Sequence, residues 1–317
     1  MRFRALGSTG VSVSVIGFGA SPLGDVFHQT DPEEGKRAVS LAIQQGINLF
    51  DVSPYYGKTL AEERLGIALQ GRRDKVFLAT KCGRYDADFF DFSAARIEKS
   101  IEESLRRLRT DHLDLLQAHD VEFGDLRQIV EVAIPTLQKL KQSGKVRFVG
   151  ITGYSLGMLR KIAEQANIDT ILSYCRYNPL ITDLDVLLTP SARELKIGLI
   201  NASPLHMGVL TERGAPPWHP APLAVKEAGS RVVQLCKQQG LDPSIVALRF
   251  CLDHPYTAST LVGMSSTKHV MDNLRALDTA IDPALLAQMR QIVEPVKDTL
   301  WPSGRLENAD TAVATTL

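Results

Sequence analysis

The run Val76-Phe77-Leu78-Ala79-Thr80-Lys81 decides the fold. It opens on four apolar residues in a row, where a strand with one wet face would alternate apolar and polar. Such a run suits a strand buried on both faces, as parallel sheets require. The same character returns in Arg147–Thr152 (RFVGIT) and Ile197–Ser203 (IGLINAS). Working outward from these, eight candidate strands emerge: Val13–Gly19, Asn48–Ser53, Val76–Lys81, Leu113–His119, Val146–Thr152, Thr170–Tyr174, Gly198–Ser203 and Ser259–Met264.

Helix-period segments separate them. Asp31-Pro32-Glu33-Glu34 offers an N-cap, a first-turn proline and two acids at the positive helix end. Ala38, Leu41 and Ala42 follow at helical spacing, and Gly46 supplies a stop. Ser93 opens another helix with the stripe Ile97, Ile101, Leu105 and Leu108. Strand and helix alternate eight times without a linker, so the expected class is α/β and the architecture a (β/α)8 TIM barrel. One domain over residues 1–307 is expected, with Asn308–Leu317 as a flexible tail. Gly17-Phe18-Gly19-Ala20-Ser21 lacks the third glycine of a dinucleotide fingerprint, which argues against an open Rossmann sheet. The longest gap between strands, the seventh to the eighth, passes through Gly214-Ala215-Pro216-Pro217-Trp218-His219-Pro220. Long loops of this kind on a barrel's carboxyl face usually cover a ligand.

Composition narrows the function. The 317 residues carry 36 Lys plus Arg against 36 Asp plus Glu, so no net field recruits nucleic acid or an anionic membrane. A small, uncharged substrate is expected, for a monomer or small homo-oligomer. No apolar run reaches the ~20 residues of a membrane span, and the N-terminus has no signal-type core, which reads as cytoplasmic. Cys82, Cys175, Cys236 and Cys251 are far apart without metal-type spacing, so reduced thiols and no metal site are expected.

Barrel enzymes place their chemistry at the carboxyl ends of strands. Those ends read Asp51 followed by Tyr55-Tyr56-Gly57, then Lys81, then His119-Asp120. Each residue alone has an ordinary structural explanation: a cap, a surface lysine, a packed tyrosine, a satisfied histidine. Three successive strand ends reverse that balance. A phenol with a pKa of ~10 is a poor base near neutrality. A neighbouring ammonium would lower it, and a carboxylate would keep that lysine charged. Tyr56, Lys81, Asp51 and His119 therefore form a coherent proton-transfer group for carbonyl reduction or alcohol oxidation.

These residues resemble the aldo-keto reductase family, over nearly the whole chain. The matching stretches are Leu6–Ser14, Asp51–Gly57, Thr80-Lys81, Ala118-His119, Ser203-Pro204-Leu205 with Met207-Gly208, and Asn273-Leu274. The resemblance implies an N-terminal β-hairpin, long carboxyl-face loops and a nicotinamide nucleotide lying across the barrel mouth. It implies Tyr56 as general acid/base, Asp51 and Lys81 as its tuners and His119 as substrate orienter. Cofactor contacts are implied for Gly19, Ala20, Asp51, Ser173, Ser203, Pro204, Leu205, Met207, Gly263, Met264, Ser265 and Asn273. Longer strings, among them Phe18–Gly24, Ala79–Tyr85, Pro217–Ala221 and Leu261–Ser266, are similar to the L-galactose-oxidising branch of the family. That branch implies oxidation of the anomeric C1 hydroxyl of an aldose to the lactone. Substrate contacts are then expected from Tyr55, Tyr56, Arg84, Tyr85, His119, His206 and Trp218.

The chain also departs from the family pattern. Thr152-Gly153, Tyr174 and Ala202 replace the usual Ser-Asn, glutamine and stacking aromatic around the nicotinamide. In Gly263–His269 the lysine and arginine that bind the 2′-phosphate of NADPH in relatives are missing, with Lys268 and His269 as partial substitutes if they point inward. NAD is the expected cofactor. The alternatives are an L-fucose or D-arabinose type of dehydrogenase, an NADPH-dependent aldehyde reductase, or a nucleotide-binding regulatory subunit.

Overall fold

Side chains on a strand point alternately to its two sides, and here both sides are dry. The computed structural model describes residues 1–310. Two short strands, β1 (Phe3–Ala5) and β2 (Ser12–Ser14), form an antiparallel hairpin. Eight parallel strands follow: β3 (Ile16–Gly19), β4 (Leu49–Asp51), β5 (Phe77–Cys82), β6 (Leu113–Ala118), β7 (Val146–Gly153), β8 (Thr170–Tyr174), β9 (Gly198–Ala202) and β10 (Ser259–Gly263). They pair in sequence order, and β10 returns to β3 to close the barrel. Helices cover the outside, capped as their sequences require. Asp31 accepts from the Glu33 amide at 3.1 Å, and Ser93 accepts from the Arg96 amide at 3.4 Å.

The expected first strand, Val13–Gly19, splits in two. Val13 belongs to the hairpin and the barrel strand starts at Ile16. The reason lies at Ser14 and Val15. The Ser14 amide donates to Asn48 Oδ1 at 2.7 Å and the Val15 amide to the Arg2 carbonyl at 3.0 Å, which turns the chain from one sheet into the other.

The inward faces stack in layers. Leu49, Phe77, Ala79, Leu115, Leu172, Ile200 and Leu261 fill the lower barrel, with Leu6 and Val13 of the hairpin packed into the same cluster. Two residues further along their strands the same face turns polar: Leu49 gives way to Asp51, Ala79 to Lys81 and Leu115 to Gln117. Outward residues meet the helices instead, as where Thr80 Oγ1 donates to Glu62 at 2.6 Å.

The tail expected from residue 308 is anchored over its first three residues. Asn308 Nδ2 donates to the carbonyls of Glu122 (2.9 Å) and Gly124 (2.8 Å). Asp310 accepts from the amides of Leu156 and Gly157 and from the buried guanidinium of Arg176 at 2.7 Å. Its carboxylate thus sits at the positive end of the helix Leu156–Gln165. The rest of that expected tail lies outside the described residues.

The hairpin fits the barrel floor through a glycine. Gly7 has φ +56°, and a Cβ there would lie 2.3 Å from the Gly198 amide nitrogen. Backbone cannot yield as a flexible side chain does, so Gly7→Ala should lower stability by about 2–3 kcal/mol. Gly10→Ala, at φ +74° with open space around it, should cost only the conformational term of about 1 kcal/mol. Urea denaturation of the two variants measures the difference.

Candidate active site

The polar layer at the carboxyl end of the barrel is built on one buried ion pair. Lys81 Nζ, on β5, lies 2.5 Å from Asp51 Oδ1 on β4 and donates a second bond to the Val52 carbonyl at 2.9 Å. Gln117 Nε2, on β6, donates to the other carboxylate oxygen, Oδ2, at 3.1 Å. Three neighbouring strands therefore fix the lysine. Its ammonium lies 4.8 Å from the centroid of the Tyr56 ring, in the turn that follows β4.

His119 follows β6, and its ring stands edge-on to Tyr56 with centroids 5.8 Å apart. Its Nδ1 is 3.1 Å from Ser53 Oγ, and its Nε2 is 3.7 Å from Asp120 Oδ2. Asp120 is itself tied to Arg84 Nη1 at 2.5 Å. The Arg84 guanidinium lies over the Tyr55 ring, 3.9 Å from its centroid. Tyr55, Arg84 and Asp120 thus form a wall beside His119 and Tyr56. The four residues expected to do chemistry come together, and so do two of the expected substrate contacts.

Electrostatics in this layer follow burial first. Burial works to lower the Lys81 pKa, but Asp51 and Tyr56 outweigh it, so the value rises and the lysine stays charged. Burial raises Asp51 against the pull of Lys81. Tyr56 departs from the sequence expectation. Lys81 does favour its phenolate, yet burial is the larger effect, reinforced by Asp51 and Asp120, and the pKa is raised. The phenol keeps its proton in the protein alone. Burial, then Lys81 and Arg84, push His119 well below its usual value, so it is neutral near pH 7.

The other expected positions fall into two groups. Gly19 and Ala20, Ser173, Gly263 and Ser265 all lie at or just beyond the carboxyl ends of β3, β8 and β10. Ser173 Oγ is buried and has no hydrogen-bond partner among the described residues. The turn Ser203–Gly208 after β9 holds Ser203, His206 and Met207 at positive φ, with Pro204 and Leu205 between them. Asn273 lies in the helix Thr267–Arg275 that follows β10.

The remaining expected positions are enclosed, paired or exposed. The Met264 side chain is fully buried in the core between sheet and helices, so only its backbone is left to face a ligand. His206 is buried, bonded through Nδ1 to Asn178 (3.1 Å) and packed against His219 and Trp301; burial pushes its pKa down to about 3. Tyr85 packs under Arg96 of the following helix, 3.8 Å from its ring centroid, with its hydroxyl buried. Trp218 is 55% exposed and stacks on Phe27, which joins two loops. Lys268 is exposed and paired with Asp272, while His269 Nδ1 accepts from the Ser265 amide at 3.3 Å. Neither presents a free cation inward.

Four contributors escaped the sequence reading. Gln117 and Ser53 lie two residues from His119 and Asp51, so alternation along the strands would have placed them on the same inward face. Asp120 adjoins His119 but was given no role. Glu34, read only as a first-turn acid, reaches across to the helix after β10, where Oε1 accepts from both the amide and the hydroxyl of Thr267 at 2.7 Å. These bonds, with Arg37, hold its pKa down to about 2.

Beneath Asp120 lies a further acid. Glu122 is fully buried, Oε1 accepting from the Tyr154 amide at 2.9 Å while Oε2 has no partner among the described residues. Burial, then the Asp120 charge, raise its pKa to about 8. A raised carboxyl binds its proton better folded than unfolded, so it withdraws stability as pH climbs from the unfolded value of ~4.3 to about 8. Glu122→Gln should therefore melt close to wild type at pH 5 and increasingly above it toward pH 8.5, as calorimetry across that range would read.

Comparison with known proteins bears on the family and the fold. The model of the aldo/keto reductase family matches residues 15–294. An L-galactose dehydrogenase from Arabidopsis thaliana is 46% identical, over 97% of this chain and 99% of its own. A D-arabinose 1-dehydrogenase from Saccharomyces cerevisiae is 31% identical, over 86% and 83% of the two chains. The holo form of an aldo-keto reductase from Bacillus halodurans superposes with a TM-score of 0.79 at 26% identity, covering 98% of this chain and all of that one. The barrel, its hairpin and the Asp51–Lys81 layer thus sit in a chain that belongs to the aldo/keto reductase family of oxidoreductases.

Proposed function

We propose that this protein oxidises the anomeric C1 hydroxyl of an aldose, L-galactose by preference, to the lactone with NAD as cofactor. The observation that carries the chemistry is the Lys81 ammonium, pinned by Asp51 and Val52 against the Tyr56 ring. Similarity to the Arabidopsis L-galactose dehydrogenase along both chains supports the choice of sugar. The nicotinamide, when bound, supplies the hydride acceptor at C1 and, when oxidised, a further positive charge beside the phenol. Ser173 Oγ and the backbone at the end of β10 are the groups that would hold it. Tyr56 first gives its own proton to water, as a phenolate held by Lys81, and then takes the proton of the C1 hydroxyl as the C1 hydride departs and the C1–O bond becomes a carbonyl. His119 hydrogen-bonds the C1 oxygen. Arg84 and Tyr55, beside it, meet hydroxyls further along the sugar.

Glu34 supports NAD over NADP. Its carboxylate occupies the amide of Thr267 at the start of the helix after β10, where a phosphate would otherwise find a donor. A second anion brought to that helix end meets a charge already in place.

Absorbance at 340 nm tests the whole reading, with a panel of aldoses and NAD or NADP in parallel. Fast NADH formation, selective for L-galactose, is expected. Tyr56→Phe should lose turnover by roughly 10³-fold with the fold intact. NADPH consumption with simple aldehydes alone would overturn both sugar and cofactor, and silence in every well would favour a regulatory nucleotide-binding role. Glu34→Gln keeps the shape and removes the charge. It should shift the NAD to NADP ratio of kcat/KM toward NADP by roughly tenfold.

A further inference from the structure

The geometry points to Ser53 as the positioning residue that sets the tautomer of His119, placing its single ring proton on Nε2. This inference rests on the functional reading only for its kinetic consequence. Because His119 is neutral, one ring nitrogen carries a proton and the other a lone pair. Which is which decides whether the ring donates to a substrate oxygen or withdraws from it.

Two contacts on opposite sides of the ring give the same answer. Ser53 Oγ is fully buried and already accepts the Tyr55 amide at 3.1 Å. Its remaining need is an acceptor for its own O–H, and the atom within reach is His119 Nδ1 at 3.1 Å. A hydroxyl that donates to Nδ1 requires a lone pair there. On the far side, Nε2 stands 3.7 Å from Asp120 Oδ2. Asp120 is held there by Arg84 and by its own amide, which donates to Thr152 Oγ1 at 3.1 Å. A lone pair on Nε2 would face that carboxylate and be repelled; an N–H is attracted. The ring is thus a donor at Nε2, on the side of Asp120, with Tyr56 packed edge-on against it.

The same hydroxyl couples His119 to the turn that carries Tyr56. By accepting the Tyr55 amide, Ser53 fixes the Pro54–Tyr56 bend, while its carbonyl accepts the Tyr56 amide at 3.1 Å. One small side chain therefore registers the proton donor and acceptor on Tyr56 with the hydrogen-bond donor on His119.

Long-range ¹⁵N NMR of histidine-labelled protein, with His119 assigned by loss of its signals in His119→Asn, reads the tautomer directly. A protonated Nε2 and a bare Nδ1 are expected in wild type. Ser53→Ala should mix the two tautomers and reduce kcat for the aldose roughly tenfold, with a smaller change in KM. Ser53→Thr, which keeps the hydroxyl, should restore the wild-type spectrum. A proton on Nδ1 in wild type, or an unchanged tautomer in Ser53→Ala, would overturn the assignment. If wild type oxidises no aldose, the functional reading fails, and the spectra still decide the role of Ser53.

Discussion

The pairing of Lys81 with Asp51 inside the barrel is the constraint on which the site depends. Two opposite charges removed from water gain little net stability, since desolvation offsets most of their attraction. An apolar pair of similar volume would serve the fold as well. What the pair provides is a fixed positive charge in a dry place, against the face of a phenol. Every neighbouring contact serves to keep that charge from moving: Gln117 on the far carboxylate oxygen, the Val52 carbonyl on the ammonium, and the apolar layer of Leu49, Ala79 and Leu115 beneath. Losing either partner would leave the other buried and unpaired, at a cost of about 3–5 kcal/mol. The fold therefore tolerates the pair only as a pair.

Burial has a second effect that runs against the first. The apolar surroundings that strengthen Lys81's field also disfavour the phenolate, and for Tyr56 in the protein alone burial wins. The site is consequently set for Tyr56 to give up a proton only when more positive charge arrives nearby. In the function proposed above, an oxidised nicotinamide would supply that charge, which would tie proton transfer at Tyr56 to cofactor occupancy by electrostatics.

Much of this was legible in the sequence because it is local or periodic. Eight apolar runs gave eight barrel strands, and Asp51, Lys81 and His119 could be found by reading strand ends in order. What escaped reading depends on long-range distance or on depth. Glu34 finds Thr267 from 233 positions away, and nothing in its own segment announces that reach. His206 and the Tyr85 hydroxyl, read as reaching a substrate, are drawn inward by tertiary packing that no local pattern announces. The hairpin boundary at Ser14 was hidden because Val13 and Ile16 are both apolar, although they belong to different sheets. The rise in the Tyr56 pKa was missed for a related reason: a neighbour's charge can be read from sequence, whereas the volume of water excluded around a ring cannot.

The ring of strands, finally, has a consequence for how the chain acquires its shape. Ile16 pairs with Thr260, and Arg176 finds one of its counter-charges at Asp310, 134 residues later. Emerging from the ribosome, the first strand has an open edge until almost the whole sequence is out. Such non-local closure slows folding and leaves unpaired backbone available to other chains meanwhile. Assembly of this molecule is thus not a sequence of finished modules. It is a circle that stays incomplete until β10 is made, about 240 residues after β3, and its vulnerability to misassociation is greatest just before that strand arrives.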